Sequence, residues 1–217
     1  MSEDRQPTPA RASGVPDAAI GDAVEALGGG GFVVHPTSTV YGIGGAATEA
    51  VDSEIARLKG RPAGTPLIRL APSVDVLRAE RPDIAWDERA DRLAAEFWPG
   101  SLTLVLVDGT TRGIAVRVDS HPVTAALLTE WGHLMSSTSL NPHGVQPCRD
   151  LEAVRAVMRG LPETERPIAF VDAGPLPEAP PSTVVSLLER PARVLRVGAV
   201  PVEDVQRYIE IEEVRVG

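Results

Sequence analysis

Short apolar runs of strand length alternate along this chain with segments of helical periodicity. Phe32–His35 (FVVH), Pro66–Ala71 (PLIRLA) and Leu102–Val107 (LTLVLV) are typical of buried strands. Between them, segments such as Asp87–Phe97 repeat apolar residues every three or four positions, which predicts amphipathic helices. Leu102–Val107 and Ile114–Val118, joined by a turn that contains glycine, predict a hairpin. The alternation and the hairpin together predict an α/β domain with a mixed sheet.

The same periodicities predict the remaining elements. We expect helices at Asp17–Leu27, Val51–Leu58, Val74–Leu77 with Ser73 as its N-cap, Pro122–Trp131, Asp150–Met158 and Pro201–Tyr208, and strands at His133–Ser137, Ile168–Gly174, Ser182–Leu188 and Arg193–Val197. Residues 1–16 are polar and rich in proline, which predicts a flexible N-terminal tail. One domain is therefore expected over residues 17–217.

The charge balance argues against a broad nucleic-acid-binding surface. The chain has 21 Lys and Arg against 30 Asp and Glu, a formal net charge of −9, whereas binding along a phosphate backbone needs clustered cations. No apolar stretch is long enough to span a bilayer, and the first residues lack the apolar core of a signal peptide. The single Cys148 excludes an internal disulfide and suits a reducing compartment. We expect a cytoplasmic protein without membrane contact, whose RNA binding, if any, is weak.

The stretch FVVHPTSTVYGIGG ends a predicted strand in Pro36, three hydroxyl residues and several glycines. Its glycines match neither a GxxxxGK(S/T) phosphate loop nor a GxGxxG dinucleotide motif, so we predict a strand-to-helix loop. Hydroxyl residues in such loops usually satisfy local backbone groups. They also orient small polar ligands at the edge of a sheet, and both interpretations stay open.

The loop KGRPAGTP carries two cations. Arg61 precedes Pro62, which favours extended geometry, and residues two apart in an extended segment point the same way. Lys59 and Arg61 are therefore candidates to bind one anion together, with a point charge and a planar fork. The alternative is a solvated helix C-terminus, where cations are favourable in any case.

Three later segments also carry polar groups at strands. Arg117 alternates with apolar residues in IAVRV, so it points either to solvent or into a cavity, and a buried arginine needs an anionic partner such as a ligand carboxylate. The segment SSTSLNPHG and the pair Ser182 and Arg196 add hydroxyl and cationic groups. The four histidines have no spacing typical of a metal site, so we expect no protein-bound metal.

Seven segments, in this order, resemble motifs of the YrdC-like family, the threonylcarbamoyl-AMP synthases. HPTSTVYGIG resembles the family's PT(D/E)TVYGLG, LKGRP its KxRP, FWPGSLTLVL its WPGPLTLVL, IAVRVDSHP its AVRxPxHP, SSTSLNPHG its SxSANxSG, STVV its STVVD and RVLRVGAV its LRxGxV. The resemblance runs from about Ile20 to Val205. One motif alone is unspecific, but seven in register are specific for the family.

The resemblance implies a fold and a reaction. The fold is a single α/β domain, in which a twisted mixed sheet is flanked by helices around a deep, positively charged cavity. The reaction is that of a nucleotidyltransferase, which joins L-threonine, bicarbonate or CO2 and ATP into threonylcarbamoyl-AMP and releases pyrophosphate. A separate complex then transfers the threonylcarbamoyl group to tRNA adenosine 37, the t6A modification.

The resemblance also implies the site residues. By family position, threonine is held by Thr39, Arg117, Ser137 and Ser182, and ATP by Lys59, Arg61, Thr65, Ser139, Asn141 and Arg196. Lys59 and Arg61 are the residues expected to stabilise the pentavalent phosphorus. Mg²⁺ is expected to be bound through the ATP phosphates.

Several positions depart from the family motifs. Ser38 replaces the acid of PT(D/E)T, a conservative change if this side chain faces solvent. Leu140 adds bulk where the nucleotide is expected, and Arg69 is expected to perturb the threonine pocket or to add a phosphate contact. Val197 and His143 also differ from their motifs. These departures leave two alternatives open: a related enzyme that makes a carbamoyl-adenylate for another acceptor, and a non-catalytic module that binds nucleotide or RNA.

Overall fold

The computed structural model describes residues 17–62, 64–110, 112–141 and 147–212. The tail predicted at residues 1–16 and the departure at His143 lie outside these ranges. The helices are α1 (Asp17–Gly28), α2 (Glu49–Leu58), α3 (Val74–Glu80), α4 (Glu88–Phe97), α5 (Pro122–Trp131), α6 (Leu151–Gly160) and α7 (Val202–Gln206). The strands are β1 (Phe32–His35), β2 (Gly42–Ala46), β3 (Ile68–Leu70), β4 (Leu102–Leu106), β5 (Ile114–Arg117), β6 (Met135–Ser139), β7 (Ile168–Phe170), β8 (Thr183–Ser186) and β9 (Arg193–Arg196). None of the helices in the described ranges is long and apolar enough to cross a membrane.

Local capping chemistry explains where several helices begin. Ser73 accepts a hydrogen bond from Val76 N at 3.2 Å, which starts α3, and Asp150 accepts one from Ala153 N at 2.8 Å, which starts α6. These side chains satisfy backbone N–H groups that have no partner within the helix. The predicted caps of α3 and α6 are therefore confirmed.

The nine strands form one mixed sheet in the order β7-β1-β2-β6-β3-β5-β4-β8-β9. The pairs β1–β7, β3–β5 and β4–β8 are parallel, and the other neighbours are antiparallel. The predicted hairpin of β4 and β5 is confirmed, with Leu104 opposite Val116. The mixed sheet expected from the sequence is therefore present.

Helices cover both faces of this sheet. On β1, Phe32 and Val34 pack in one cluster with residues of α2 and α6, while Val33 packs in another with residues of α1 and α5. All three side chains are buried, which explains why β1 is a continuous apolar run rather than an alternating one. Around β4 and β8, a third cluster includes residues of α3, α4 and α7.

The stretch Gly42–Ala46 is a strand, so the loop predicted there is wrong. This strand, β2, lies between β1 and β6 and pairs antiparallel with both. Glycine is disfavoured in strands, but here a close approach requires it. A Cβ atom on Gly44 would lie 2.5 Å from the Ser136 carbonyl oxygen, and one on Gly42 would lie 3.1 Å from Ser137 Oγ.

Strand β6 begins and ends two residues later than predicted. It runs from Met135 to Ser139, so the hydroxyl residues assigned to a polar loop after the strand are part of it. Ser137 pairs with Gly44 on one side and with Ile68 on the other. Ser137 and Ser139 are therefore held by an interior strand of the sheet.

Candidate functional site

A cavity of about 340 Å³ opens where the β1–β2 connection meets β5, β6, β8 and β9. Its lining includes most of the site residues predicted from the sequence: Thr39, Arg61, Arg117, Ser137, Ser139, Ser182 and Arg196. Three of these are arginines, and no carboxylate is among the described residues that line the cavity. The segments that resembled the family motifs are thus brought together around one space.

Arg117, at the end of β5, is a buried cation. Its side chain is 5% exposed, and Nη2 lies 2.6 Å from Oδ2 of Asp119, whose side chain is fully enclosed. The anionic partner expected for a buried arginine is therefore supplied by the protein itself. Arg117 Nε is also buried and has no hydrogen-bond partner among the described residues. Burial lowers the pKa of Arg117, and the Asp119 charge opposes that shift.

Asp119 ties Arg117 to the β1–β2 connection. Its Oδ1 accepts from the backbone N–H groups of Ser38 and His121, each at 2.9 Å, and its Oδ2 accepts from Ser38 Oγ at 3.0 Å. Ser38 Oγ also lies 3.0 Å from Ser101 Oγ. The Ser38 side chain is therefore engaged inside the protein, contrary to the expectation that it faces solvent.

The three hydroxyl residues of the β1–β2 connection have different roles. Thr37 Oγ1 donates to the Val40 carbonyl at 2.7 Å and accepts from the N–H groups of Thr39 and Val40, so it shapes the turn. Ser38 contacts Asp119, and Thr39 lines the cavity. The two interpretations left open for this loop each hold for a different residue.

His35, at the end of β1, holds the hydroxyl of Ser137. Its Nδ1 lies 2.9 Å from the Pro36 carbonyl oxygen, and its Nε2 lies 3.0 Å from Ser137 Oγ. A carbonyl oxygen only accepts, so Nδ1 carries the proton and Nε2 accepts the Ser137 proton. Complete burial lowers the pKa of His35 to about 4, so the ring is neutral at physiological pH. The lone pairs of Ser137 Oγ are left to accept hydrogen bonds.

Lys59 lies behind the cavity lining and braces the end of β6. Its Nζ donates to the Ser139 carbonyl and, at 3.2 Å, to Asn141 Oδ1, while Ser139 Oγ donates to Asn141 Oδ1 at 2.5 Å. Burial, together with the charge of Arg61, lowers the pKa of Lys59 to about 7. The side chain is therefore poised between its charged and neutral forms near neutral pH.

Lys59 and Arg61 are close, but not as alternate residues of an extended segment. Lys59 ends α2 with helical dihedrals (φ −92°, ψ 0°), and Gly60 follows with φ +61°. The extended geometry expected from Pro62 is therefore wrong at Lys59. Arg61 lines the cavity, its buried Nε has no partner among the described residues, and burial lowers its pKa.

Arg196 and Ser182 form a second contact network with Thr103. Arg196 Nε donates to the Ser182 carbonyl at 2.9 Å and Nη2 to Ser182 Oγ at 2.8 Å. Ser182 Oγ lies 3.0 Å from Thr103 Oγ1, which also lines the cavity. Burial and the charge of Arg117 lower the pKa of Arg196. These residues form one electrostatic group with Arg117, whereas Lys59 and Arg61 form another with Ser139.

Thr65 and three departures lie outside the cavity lining. Thr65 Oγ1 donates to the Pro62 carbonyl at 2.6 Å. Arg69 Nη1 lies 2.9 Å from Asp52 Oδ1, so its charge is neutralised within the protein rather than added to the pocket. Leu140 is 1% exposed in the apolar core and adds no bulk to the cavity. Val197 is exposed.

Three contributors to the site were missed: His35, Thr103 and Asp119. Asp119 had a usable sequence signal, because residues two apart on a strand point the same way and Arg117-Val118-Asp119 has that spacing. His35 and Thr103 stand in apolar runs that predict strands, and their contacts are with residues 102 and 79 positions away. Sequence spacing does not reveal such contacts.

Comparisons with known proteins place this geometry in a family. The chain matches the model of the Sua5/YciO/YrdC family, described as "Telomere recombination", over residues 25–198. It is 33% identical to the threonylcarbamoyl-AMP synthase of Pyrococcus abyssi over 83% of this chain and 54% of that protein. It is 35% identical to the enzyme of the same name from Xanthomonas oryzae over 64% of this chain and 80% of that protein. This chain thus spans about half the length of the first relative.

A solved structure has the same fold. Sua5 of P. abyssi, complexed with L-threonine, superposes with a TM-score of 0.76 at 30% identity, covering 89% of this chain and 58% of that one. The family match covers well over half of the chain and includes every residue that lines the cavity. The chain therefore belongs to the Sua5/YciO/YrdC family.

Proposed function

We propose that this chain makes threonylcarbamoyl-AMP from L-threonine, bicarbonate and ATP. The threonine amine forms a new C–N bond to the bicarbonate-derived CO2 and loses a proton, giving a carbamate and water. A carbamate oxygen then bonds to the α-phosphorus of ATP. The bond from that phosphorus to the bridging oxygen breaks, and pyrophosphate leaves. The chain is, on this proposal, a nucleotidyltransferase.

The observation that carries the proposal is a cavity lined by hydroxyl groups and arginines, with no carboxylate among its described lining residues. All the reactants except the amine of threonine are anionic, so such a lining suits them. No covalent intermediate is needed, because the carbamate is itself the nucleophile. Catalysis then consists of positioning the reactants and stabilising charge.

We assign threonine to Thr39, Arg117, Ser137 and Ser182. Arg117 Nε is buried without a protein partner, and a carboxylate is the ligand that a guanidinium binds best. Ser137 donates to His35, so it accepts from the ligand. It thereby suits the ammonium group or the hydroxyl of threonine.

We assign ATP to Lys59, Arg61, Thr65, Ser139, Asn141 and Arg196. Lys59 and Arg61 form one cationic group beside Ser139, and they stabilise the charge that develops on phosphorus. Mg²⁺ enters bound to the ATP phosphates and neutralises part of their charge. The cavity lining suits this arrangement, because its hydroxyl groups leave the phosphate oxygens as the main ligands for the ion.

The relatives support the chemistry and suggest its destination. The P. abyssi and X. oryzae proteins are named threonylcarbamoyl-AMP synthases, and the P. abyssi structure contains L-threonine. The product here is then handed to a separate tRNA-modifying complex for the t6A reaction. An acidic chain suits this division of labour, because its own substrates are small.

The test is incubation of the purified chain with ATP, bicarbonate and L-threonine. We expect pyrophosphate release that depends on threonine, and an adenylate of the mass of threonylcarbamoyl-AMP. Omission of threonine is the matched control. Absence of both products with all three substrates present would refute the proposal.

The alternatives raised by the sequence departures find less support. Arg69 and Leu140 do not line the cavity, so neither favours an acceptor other than threonine. A module that binds RNA without catalysis has to overcome the net charge of −9. Pyrophosphate release with another amino acid but not with threonine would favour the first alternative. Tight, salt-sensitive RNA binding without turnover would favour the second.

A further inference from the structure

We propose that Asp119 is the positioning residue of the threonine subsite, and that it replaces from the opposite side a carboxylate that the family motifs place at position 38. The part of this inference that concerns threonine rests on the proposed function. The part that concerns the Arg117 partner is independent of it.

The contacts of Asp119 fix the guanidinium of Arg117. Asp119 is 2% exposed and Arg117 is 4% exposed, so the ion pair is shielded from water. One oxygen, Oδ1, is held by the backbone N–H groups of Ser38 and His121. The other, Oδ2, faces Arg117 Nη2 at 2.6 Å and the Ser38 hydroxyl at 3.0 Å. A carboxylate held on both sides sets the plane of the guanidinium, and thereby the direction of the N–H groups left for a ligand.

Position 38 can reach the same guanidinium. Ser38 Oγ lies 3.0 Å from the oxygen of Asp119 that contacts Arg117. The motif PT(D/E)T has an acid at the position of Ser38, and AVRxPxHP has a proline at the position of Asp119. This chain therefore has one carboxylate beside Arg117, contributed from position 119 instead of 38.

Elementary electrostatics explains why the two changes go together. A chain with neither acid would bury a cation without an anionic partner, which is strongly unfavourable. A chain with both would bring two carboxylates into contact beside one arginine, where they repel each other. Ser38 is small and neutral, and its hydroxyl donates to Asp119. The departure at Ser38 is thus explained by Asp119.

Three variants of the full chain test the exchange: Asp119→Asn, Ser38→Asp and the double variant Ser38→Asp/Asp119→Asn. Asparagine keeps an Oδ1 acceptor for the two backbone N–H groups, but it turns an NH2 group toward Arg117, where no hydrogen bond forms. In the double variant, the new carboxylate at 38 accepts from both this NH2 group and Arg117. The turn is the same in both Asn variants, so their difference isolates the carboxylate.

We expect Asp119→Asn to raise the KM for L-threonine by about tenfold or more, with a much smaller change in the KM for ATP. The double variant should recover most of that loss, whereas Ser38→Asp alone should not improve on the wild type. Calorimetric titration with L-threonine should give the same order. Asp108→Asn is the matched control, because Asp108 also pairs with an arginine, Arg81, but outside the cavity. It should leave the KM for threonine unchanged.

A second measurement keeps the inference separate from the proposed function. In a thermal-unfolding cycle of the same three variants, the double variant should be more stable than the sum of the single effects predicts. An Asp119→Asn variant with wild-type KM for threonine, or a double variant no better than Asp119→Asn in both KM and stability, would overturn the inference. If the wild type shows no threonine-dependent turnover, the proposed function fails, and the unfolding cycle alone decides whether a carboxylate at 38 replaces Asp119 as the partner of Arg117.

Discussion

His35 Nε2 accepts the hydroxyl proton of Ser137, a residue 102 positions away, at 3.0 Å. His35 is completely buried, and the Pro36 carbonyl fixes the proton on its other nitrogen. A histidine in this setting is a neutral acceptor rather than a charged group or a metal ligand. Its role is to orient one hydroxyl of the cavity.

The first prediction is that His35 makes the protein sensitive to mild acid. Burial lowers the pKa of His35 from 6.5 to about 4, so the unfolded chain binds this proton at a higher pH than the folded protein does. Stability is therefore full above about pH 6.5 and is lost as the pH falls toward 4, by about 3 kcal/mol in total. His35→Gln, which does not titrate, should lose about that much less stability over this range. Urea unfolding of both proteins from pH 7.5 to pH 4 measures the difference, and equal losses would contradict the prediction.

The second prediction concerns the charge on Lys59. Its pKa is lowered to about 7 by burial and by Arg61, so in the free protein the cation is lost as the pH rises past 7. If the cation binds phosphate, kcat/KM for ATP should fall above about pH 7, because this ratio reports ionisation of the free enzyme. Lys59→Arg keeps its charge throughout and should remove this limb of the profile. An identical limb in Lys59→Arg would assign it to another group.

The third prediction separates a catalytic loop from a helix terminus. Lys59→Ala and Arg61→Ala should each lower turnover by about 10²-fold or more, because each removes a cation that stabilises developing charge on phosphorus. Arg57→Ala is the matched control, since Arg57 lies on the same helix and pairs with Glu54 at the surface. Steady-state pyrophosphate release measures all three. Near-native turnover in both Lys59→Ala and Arg61→Ala would leave the loop with only its role at the end of α2.

The sequence predicted those parts of the fold whose causes are local. Ser73 and Asp150 cap helices through hydrogen bonds to residues three positions away, so capping rules found them. The hairpin of β4 and β5 was found for a similar reason, because its turn is short. The cavity residues were found through the family resemblance, not through periodicity. Each hydroxyl or cation had an equally good interpretation as an ordinary surface group.

The errors arose where distant segments meet. Arg117 has Asp119 as its partner, and Arg69 pairs with Asp52 seventeen residues away. A pattern of residue types does not say which of several anions a cation will contact. Strand β2 was missed because its residues are mostly glycine, whose strand propensity is low. The requirement for glycine there comes from strands packed at close range, which is a property of the assembled sheet.

The fourth prediction tests that requirement. Gly44→Ala places a Cβ atom 2.5 Å from the Ser136 carbonyl oxygen. That oxygen belongs to the backbone of β6 and cannot move without disturbing the sheet. We expect a loss of stability of about 1–3 kcal/mol, as is usual for overpacked sites. The loss of activity should exceed this, because β6 also holds Ser137 and Ser139. Gly21→Ala is the matched control: Gly21 lies within α1 with nothing within 4 Å of its new Cβ atom, so alanine should stabilise the helix by about 0.5–1 kcal/mol. Thermal unfolding of both variants measures the two signs. If Gly44→Ala were as stable as the wild type, close strand packing would not be the reason for glycine in β2.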